Sequence, residues 1–233
     1  FLTADYAFGH SLERDTAAVV KKAGGTVVGD VKVPLGTSDF SSFLVQAQSS
    51  GAKILGLANA GGDFISSVKS AKEFGVTETM KLAGLLVFIN DIHALGLDAT
   101  QGLYLTSAWY WNQDEASRKW AERFFKKMNR MPSFLQAGDY SSVAYYLRGV
   151  KETGTDDADA MMKWMKSNKI NDFFAHDAQV REDGRVVNDM YLMQVKKPSE
   201  SQKPWDYYKV VKKLPGSEVY ASLEESTCKL VKK

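Results

Sequence analysis

The first 107 residues alternate between short, nearly unbroken apolar runs and longer stretches in which apolar residues return every three or four positions. Residues 1–4 read as a short buried strand, and a helical stretch follows with Leu12, Thr16, Val19, Val20 and Ala23 on one face and Gly24-Gly25 as its stop. Residues 26–33 predict a strand ending at Pro34. Ser38-Asp39 can cap a second helix carrying Phe40, Phe43, Leu44 and Ala47 at i, i+3, i+4 and i+7. Residues 53–58 form a third strand. Gly61-Gly62-Asp63 opens a helix with Phe64, Val68 and Ala71 inward and Gly75 at its end. Residues 81–86 and 103–107 predict two more strands, with a short helix over 88–96 between them. Strands separated by helices of this length imply crossovers and a mainly parallel sheet covered on both faces.

The rhythm changes after residue 111. A helix over 114–129 has Asp114 and Glu115 in its first turn, Lys126 and Lys127 in its last, and Trp120, Phe124 and Met128 inward. A second spans 136–153 with Ala137, Tyr140, Ala144 and Leu147 on one stripe, and a third spans 157–168. Residues 178–195 predict a hairpin turning at Asp183-Gly184, its second arm alternating Val187, Tyr191, Met193 and Val195. Residues 198–233 look irregular. Two lobes account for this pattern, with 107–112 as a hinge candidate; the alternative is that 114–168 covers one face of the same sheet.

Composition narrows the function. A net charge of +2 over 233 residues argues against a nucleic-acid binder, which concentrates a large basic excess on one face. No apolar run is long enough for a membrane-spanning helix. The one cysteine, Cys228, makes no internal disulfide or zinc cluster. Phe1 opens the chain inside what reads as a buried strand, so further residues are expected upstream. No dinucleotide or P-loop glycine pattern, nucleophile elbow or His-Glu-x-x-His helix is found. Asp91 with His93 is too small a set for a metal, and Asp156, Asp157 and Asp159 suit a helix start better than a calcium loop. No cofactor, metal or catalytic residue is expected, and the chain is not read as an enzyme.

What remains is a set of loops at the carboxyl ends of the predicted parallel strands, where open α/β sheets bind ligands. These are residues 5–9, 59–63, 86–90 and 107–111, and they hold Tyr6, Phe8, Phe88, Trp109, Tyr110 and Trp111. Two run directly into helix N-termini, whose free N–H groups suit a carboxylate. Aromatic walls with a few backbone donors make a small-molecule cleft.

Asp5-Tyr6-Ala7-Phe8-Gly9, opening a helix after a buried strand, resembles the D-Y-x-[YF]-G start of the second lobe in branched-chain amino acid receptor-like solute-binding proteins. These are periplasmic receptors of ABC importers with a type I two-lobe fold. The resemblance continues through Asp39-Phe40-Ser41-Ser42, Ala60-Gly61-Gly62-Asp63, Gly102-Leu103-Tyr104, the helix before Pro132, residues 140–145 and Asp183-Gly184-Arg185, essentially the whole chain. It implies an α/β fold with a parallel sheet flanked by helices and only part of lobe 1 present. Residues 1–110 would be lobe 2, 111–172 returning helices of lobe 1, 173–197 a hairpin crossing back, and 198–233 a tail. It also implies a small-molecule ligand held between lobes that close, a membrane permease as partner and a periplasmic location, with no nucleic acid and no membrane insertion. Phe8 takes the place of the family's aromatic, Asn59-Ala60-Gly61 falls in the second cleft loop and Leu86-Val87-Phe88 in the third. With Tyr6 and Trp109 from the aromatic loops, the expected ligand set is Tyr6, Phe8, Asn59, Ala60, Gly61, Leu86, Phe88 and Trp109. Amino-acid receptors place an acid in the third loop; its absence here predicts an aromatic or aliphatic acid, a 2-oxo acid or an amide, although Asp91 leaves a branched-chain amino acid open. A sensory domain of the same fold and a protein-interaction module are the competing readings.

Overall fold

The computed structural model describes residues 1–229 and Val231. The chain divides into two compact units, Phe1–Thr106 with Met193–Val210, and Ser107–Leu192 with Val211–Lys233.

In the first unit, β1 (Leu2–Ala4), α1 (Ala7–Lys22), β2 (Val31–Val33), α2 (Ser41–Ser49), β3 (Ile54–Ala58) and α3 (Gly61–Glu73) are followed by α4 (Val76–Thr79), β4 (Lys81–Gly84), α5 (Ile89–Leu95), α6 (Leu97–Thr100) and β5 (Tyr104–Ser107). With β9 (Met190–Val195) and β10 (Tyr208–Leu214) the strands make a seven-stranded sheet in the order β10-β9-β5-β4-β3-β1-β2. The pairings of β1 with β2 and β3, of β3 with β4 and of β4 with β5 are parallel, as the alternation of strands and helices predicts. Leu2 sits opposite Val31 and Leu57, and Leu57 opposite Gly84. Neighbouring strands therefore end almost level, and the loops leaving β1, β3 and β4 follow one edge of the sheet. Leu2, Leu44, Leu57, Phe64, Val68 and Ile92 are fully buried. Each such side chain contributes about 1.5–3 kcal/mol of transfer free energy. Phe64, Val68 and Ala71 bury the predicted face of α3.

The second unit contains α7 (Glu115–Met128), α8 (Phe134–Thr153) and α9 (Ala158–Ser167), then β6 (Lys169–Ile170), β7 (Ala178–Val180), β8 (Val186–Val187) and the single turn α10 (Gly216–Val219). The three strands pair antiparallel in the order β6-β7-β8. Asp114 caps α7 by accepting from the Ser117 amide at 2.7 Å. Tyr145, Ile170, Ala178 and Val180 pack under Trp164 and Phe174.

Several expectations need correction. The inward stripe of α8 is Ala137, Ser141, Tyr145 and Gly149; Tyr140 and Leu147 are exposed. On α1, Val19 is exposed and Gly9 is the buried residue. Met128 at the end of α7 is also exposed. The strand expected over 26–33 is confined to Val31–Val33. The single hairpin over 178–195 is two structures, since β7 and β8 pair with each other while β9 joins the large sheet. The stretch after 198 is more regular than expected, because it holds β10 and α10; Leu230, Lys232 and Lys233 of that expectation lie outside the described residues.

Candidate functional site

The edge of the first unit carries three of the four expected loops, each built by a local feature. After β1, the chain enters α1 through Tyr6, whose extended backbone (φ −157°) occupies the N-cap position without a side-chain cap. Gly9 lets the first turn of α1 lie directly on Ala4. Tyr6 is 42% exposed and Phe8 half-buried, with ring centroids 5.6 Å apart. After β3, Ala60 takes the same extended N-cap conformation at the start of α3, again with no side-chain cap, and Gly61 follows with φ +58°. The first N–H groups of a 16-residue and a 13-residue helix thus stand at the ends of adjacent strands. A helix start of this kind attracts negative charge.

After β4, Leu85 and Leu86 are half-buried, Val87 is buried and Phe88 is half-buried. Asp91, 7% exposed, folds back and accepts from the Phe88 amide at 2.9 Å. Burial pushes the Asp91 carboxyl above its ordinary range, opposed in part by that hydrogen bond. Two more carboxylates belong to this edge. Asp63 accepts from the Gly36 amide at 3.1 Å, tying the loop after β2 to α3. Asp5 contacts His10 Nε2 at 2.8 Å and is half exposed.

The expected contact residues thus separate. Tyr6, Phe8, Ala60, Gly61, Leu86 and Phe88 are accessible at least in part along the edge. Asn59 is 2% exposed: its Nδ2 donates to Ser67 Oγ beneath α3 at 3.2 Å, and its Oδ1 is buried without a hydrogen-bond partner. Trp109 belongs to the second unit. It is 2% exposed, its indole N–H reaches Ser117 Oγ at 2.9 Å and the Phe173 carbonyl at 3.2 Å, and its ring meets Trp120 edge-on. Trp109 therefore packs and positions; it presents no ligand surface. Aromatic content alone did not separate it from Tyr6 and Phe8, because both patterns look alike until burial is known.

Further along α5, a feature not singled out from the sequence holds this helix from behind. His93 stacks on Trp205 with centroids 3.8 Å apart, and its Nδ1 lies 2.7 Å from the Tyr207 hydroxyl. Lys196 Nζ holds the buried Asp206 carboxylate at 2.7 and 2.8 Å. Trp205 adopts a left-handed backbone (φ +69°), uncommon for a bulky residue, which the sequence does not announce.

A cavity of about 650 Å³ lies at the opposite, amino-terminal ends of the strands, lined by Phe1, Val28, Ile54 and Met80 among others. Its walls are mainly hydrocarbon. Among the described residues, no group of three or more His, Cys, Asp or Glu is placed to hold a metal ion, and no helix is long and apolar enough to cross a membrane.

A sequence model described as periplasmic binding protein matches residues 1–202. A periplasmic binding protein from Burkholderia mallei has 61% identity and a TM-score of 0.95, covering 100% of this chain and 62% of its own. A branched chain amino acid ABC transporter periplasmic ligand-binding protein from Burkholderia xenovorans has 35% identity and a TM-score of 0.90, covering 98% of this chain and 62% of its own. At the level of fold alone, a solute binding protein from Rhodopseudomonas palustris, solved with 3,4-dihydroxy benzoic acid, has 22% identity and a TM-score of 0.79, covering 92% of this chain and 59% of its own. Among curated proteins no match is found. The chain spans about 62% of the length of the two Burkholderia proteins.

Proposed function

The chain belongs to the periplasmic binding protein family, and on that premise we propose that it receives a small carboxylate-type solute at the edge formed by the loops after β1, β3 and β4 and serves an ABC importer. The observation that carries this reading is the pair of uncapped helix starts, α1 at Tyr6 and α3 at Ala60, on adjacent strands beside the Tyr6–Phe8 ring pair. The helix starts offer backbone donors to a carboxylate, and the rings offer an apolar wall to the rest of the solute. Binding makes and breaks no bond.

A membrane permease is the partner that would accept the solute, and the periplasm is where the two would meet. Kinship with the Burkholderia xenovorans protein, described as an ABC transporter periplasmic ligand-binding protein, supports both.

A thermal-shift panel of small carboxylates and their amides tests the reading. A solute that binds only the folded protein raises its melting temperature by mass action, by about 2.7 kcal/mol of added stability at a hundredfold excess over Kd. Carboxylates that shift the transition where the matching amides do not are the expected result. A panel in which amides shift it and carboxylates do not would remove the role given to the helix starts.

A further inference from the structure

We propose that His93 is a positioning residue of the candidate site: lying between α5 and the segment before β10, it fixes where α5 stands and so where the chain enters that helix at the site's edge. The inference rests on the receptor reading above and adds a residue that itself touches no solute. Helix α5 has only seven residues, too few to hold a helix in place without packing. Its Ile89, Asp91 and Ile92 are buried, and it packs against α3 and α6. Phe88 is its N-cap, and Asp91 accepts from the Phe88 amide at 2.9 Å, so the end of the β4 loop and the helix move as one piece. His93 meets the support on the other side. The imidazole is on an exposed residue and lies flat on Trp205, with centroids 3.8 Å and planes 9° apart, and its Nδ1 is 2.7 Å from the Tyr207 hydroxyl. The flat contact stops α5 from moving toward Trp205, and the directional hydrogen bond stops it from sliding past.

The support is itself held rigidly. Trp205 is buried with φ +69°, a strained backbone for so bulky a residue, and such strain persists only where the surroundings enforce it. On one side of it Lys196 Nζ grips the next residue, Asp206, at 2.7 and 2.8 Å, and the Gln202 amide donates to the same carboxylate at 3.1 Å. The Lys196 amide donates to the Tyr207 carbonyl at 2.8 Å. Glycine would take the left-handed backbone at no strain but would offer no ring. The chain keeps the strain, and with it the surface on which His93 lies. Strain retained under a helix that starts at a binding edge is the pattern of a functional support.

Three variants of the full chain test this: His93→Ala, which loses both contacts, His93→Phe, which keeps a flat ring on Trp205, and Tyr207→Phe, which loses only the hydroxyl. Amide hydrogen exchange reads the position of α5 without a solute. In His93→Ala the amides of Ile89–Leu95 should exchange about tenfold faster while those of β1 and β3 hold their rate. Alanine is the better helix former, so faster exchange there is not a propensity effect. Calorimetric titration with leucine, 4-methyl-2-oxopentanoate and benzoate, all carboxylates, reads the site. The acid that binds the wild type most tightly should bind His93→Ala at least about fivefold more weakly, and His93→Phe and Tyr207→Phe within about twofold of the wild type. Unchanged exchange over α5 overturns the positioning role whatever the solutes do. Faster exchange with unchanged affinity makes the contact purely structural and overturns its part in binding. Equal weakening in His93→Ala and His93→Phe overturns the stack as the operative contact. If none of the three acids binds the wild type, the receptor reading falls and takes the part in binding with it, while the exchange rates alone still decide whether His93 sets α5.

Discussion

A Cβ placed on Gly9 would stand 2.1 Å from the carbonyl oxygen of Ala4. The first turn of α1 therefore rests on the backbone of β1 at a distance that only glycine allows, and this contact aims the N-terminus of α1 at the edge where Tyr6 and Phe8 stand. Backbone cannot retreat as a flexible side chain can. Gly9→Ala should cost about 3 kcal/mol of stability. Urea denaturation checks it through a lowered midpoint, and a midpoint within error of the wild type would mean that α1 can shift freely on β1.

The loop behind α5 makes a second claim. Lys196 neutralises Asp206, a carboxylate only 3% exposed, which also accepts from the Gln202 amide at 3.1 Å. Removing the ammonium takes away two short contacts to that buried carboxylate. Lys196→Ala should destabilise the protein by about 3 kcal/mol. The double variant Lys196→Ala/Asp206→Asn should recover part of the loss, because an amide in that place carries no charge to keep out of water.

Two carboxyls should shape the acid limb of stability in opposite directions. The Arg181 guanidinium contacts both oxygens of Asp183, at 3.0 and 2.6 Å, and holds its carboxyl well below the usual range. A carboxyl depressed in the folded state contributes stability that is present above its unfolded value, about pH 4, and lost as pH falls through the folded one. The stability gap between wild type and Arg181→Ala should hold steady from about pH 5 to 7 and narrow below about pH 4. Asp91 is raised by burial, so the sign reverses. Its folded form holds the proton more tightly than the unfolded one, and stability is lost as pH rises from about 4 through the folded value. Asp91→Asn should gain stability relative to wild type over that interval. Melting curves at half-unit pH steps check both.

The parallel half of the fold was legible because α2 and α3 bury the faces their spacing predicts: Phe40, Leu44 and Ala47 on one, Phe64, Val68 and Ala71 on the other. Hydropathy failed on α8 for a definable reason. Its buried stripe includes Ala137, Ser141 and Gly149, and a Cβ on Gly149 would lie 2.5 Å from Met161 and 2.7 Å from Trp164. Small residues mark where α9 comes close; the larger Tyr140 and Leu147 lie elsewhere and are exposed. β10 was missed because Lys209, Lys212 and Lys213 and exposed Val210 and Val211 describe an edge strand, which lacks the clean alternation of a half-buried one.

At the candidate site, the sequence marked the loops and their aromatics but could not sort them. Phe8 and Trp109 both follow a strand, yet one borders the edge and the other closes a hydrogen-bonded core with Ser117 and Phe173. Nor could it show that Asp91, three residues beyond Phe88, turns back to cap its own helix. That depends on burial, and burial depends on residues far away in the chain.

The most direct measurement uses Ala60→Asp. Ala60 already has the extended backbone of an N-cap, at φ −154° and ψ 165°, so an aspartate there can accept from the free amides of α3. The variant should be more stable than wild type by about 1 kcal/mol. The same carboxylate would repel a solute anion and occupy its donors. Titration of the acid that gives the largest thermal shift should therefore show affinity weakened by about tenfold or more in a protein that has become harder to unfold. Unchanged affinity in the stabilised variant would contradict the account, because the solute carboxylate would then lie somewhere other than the start of α3.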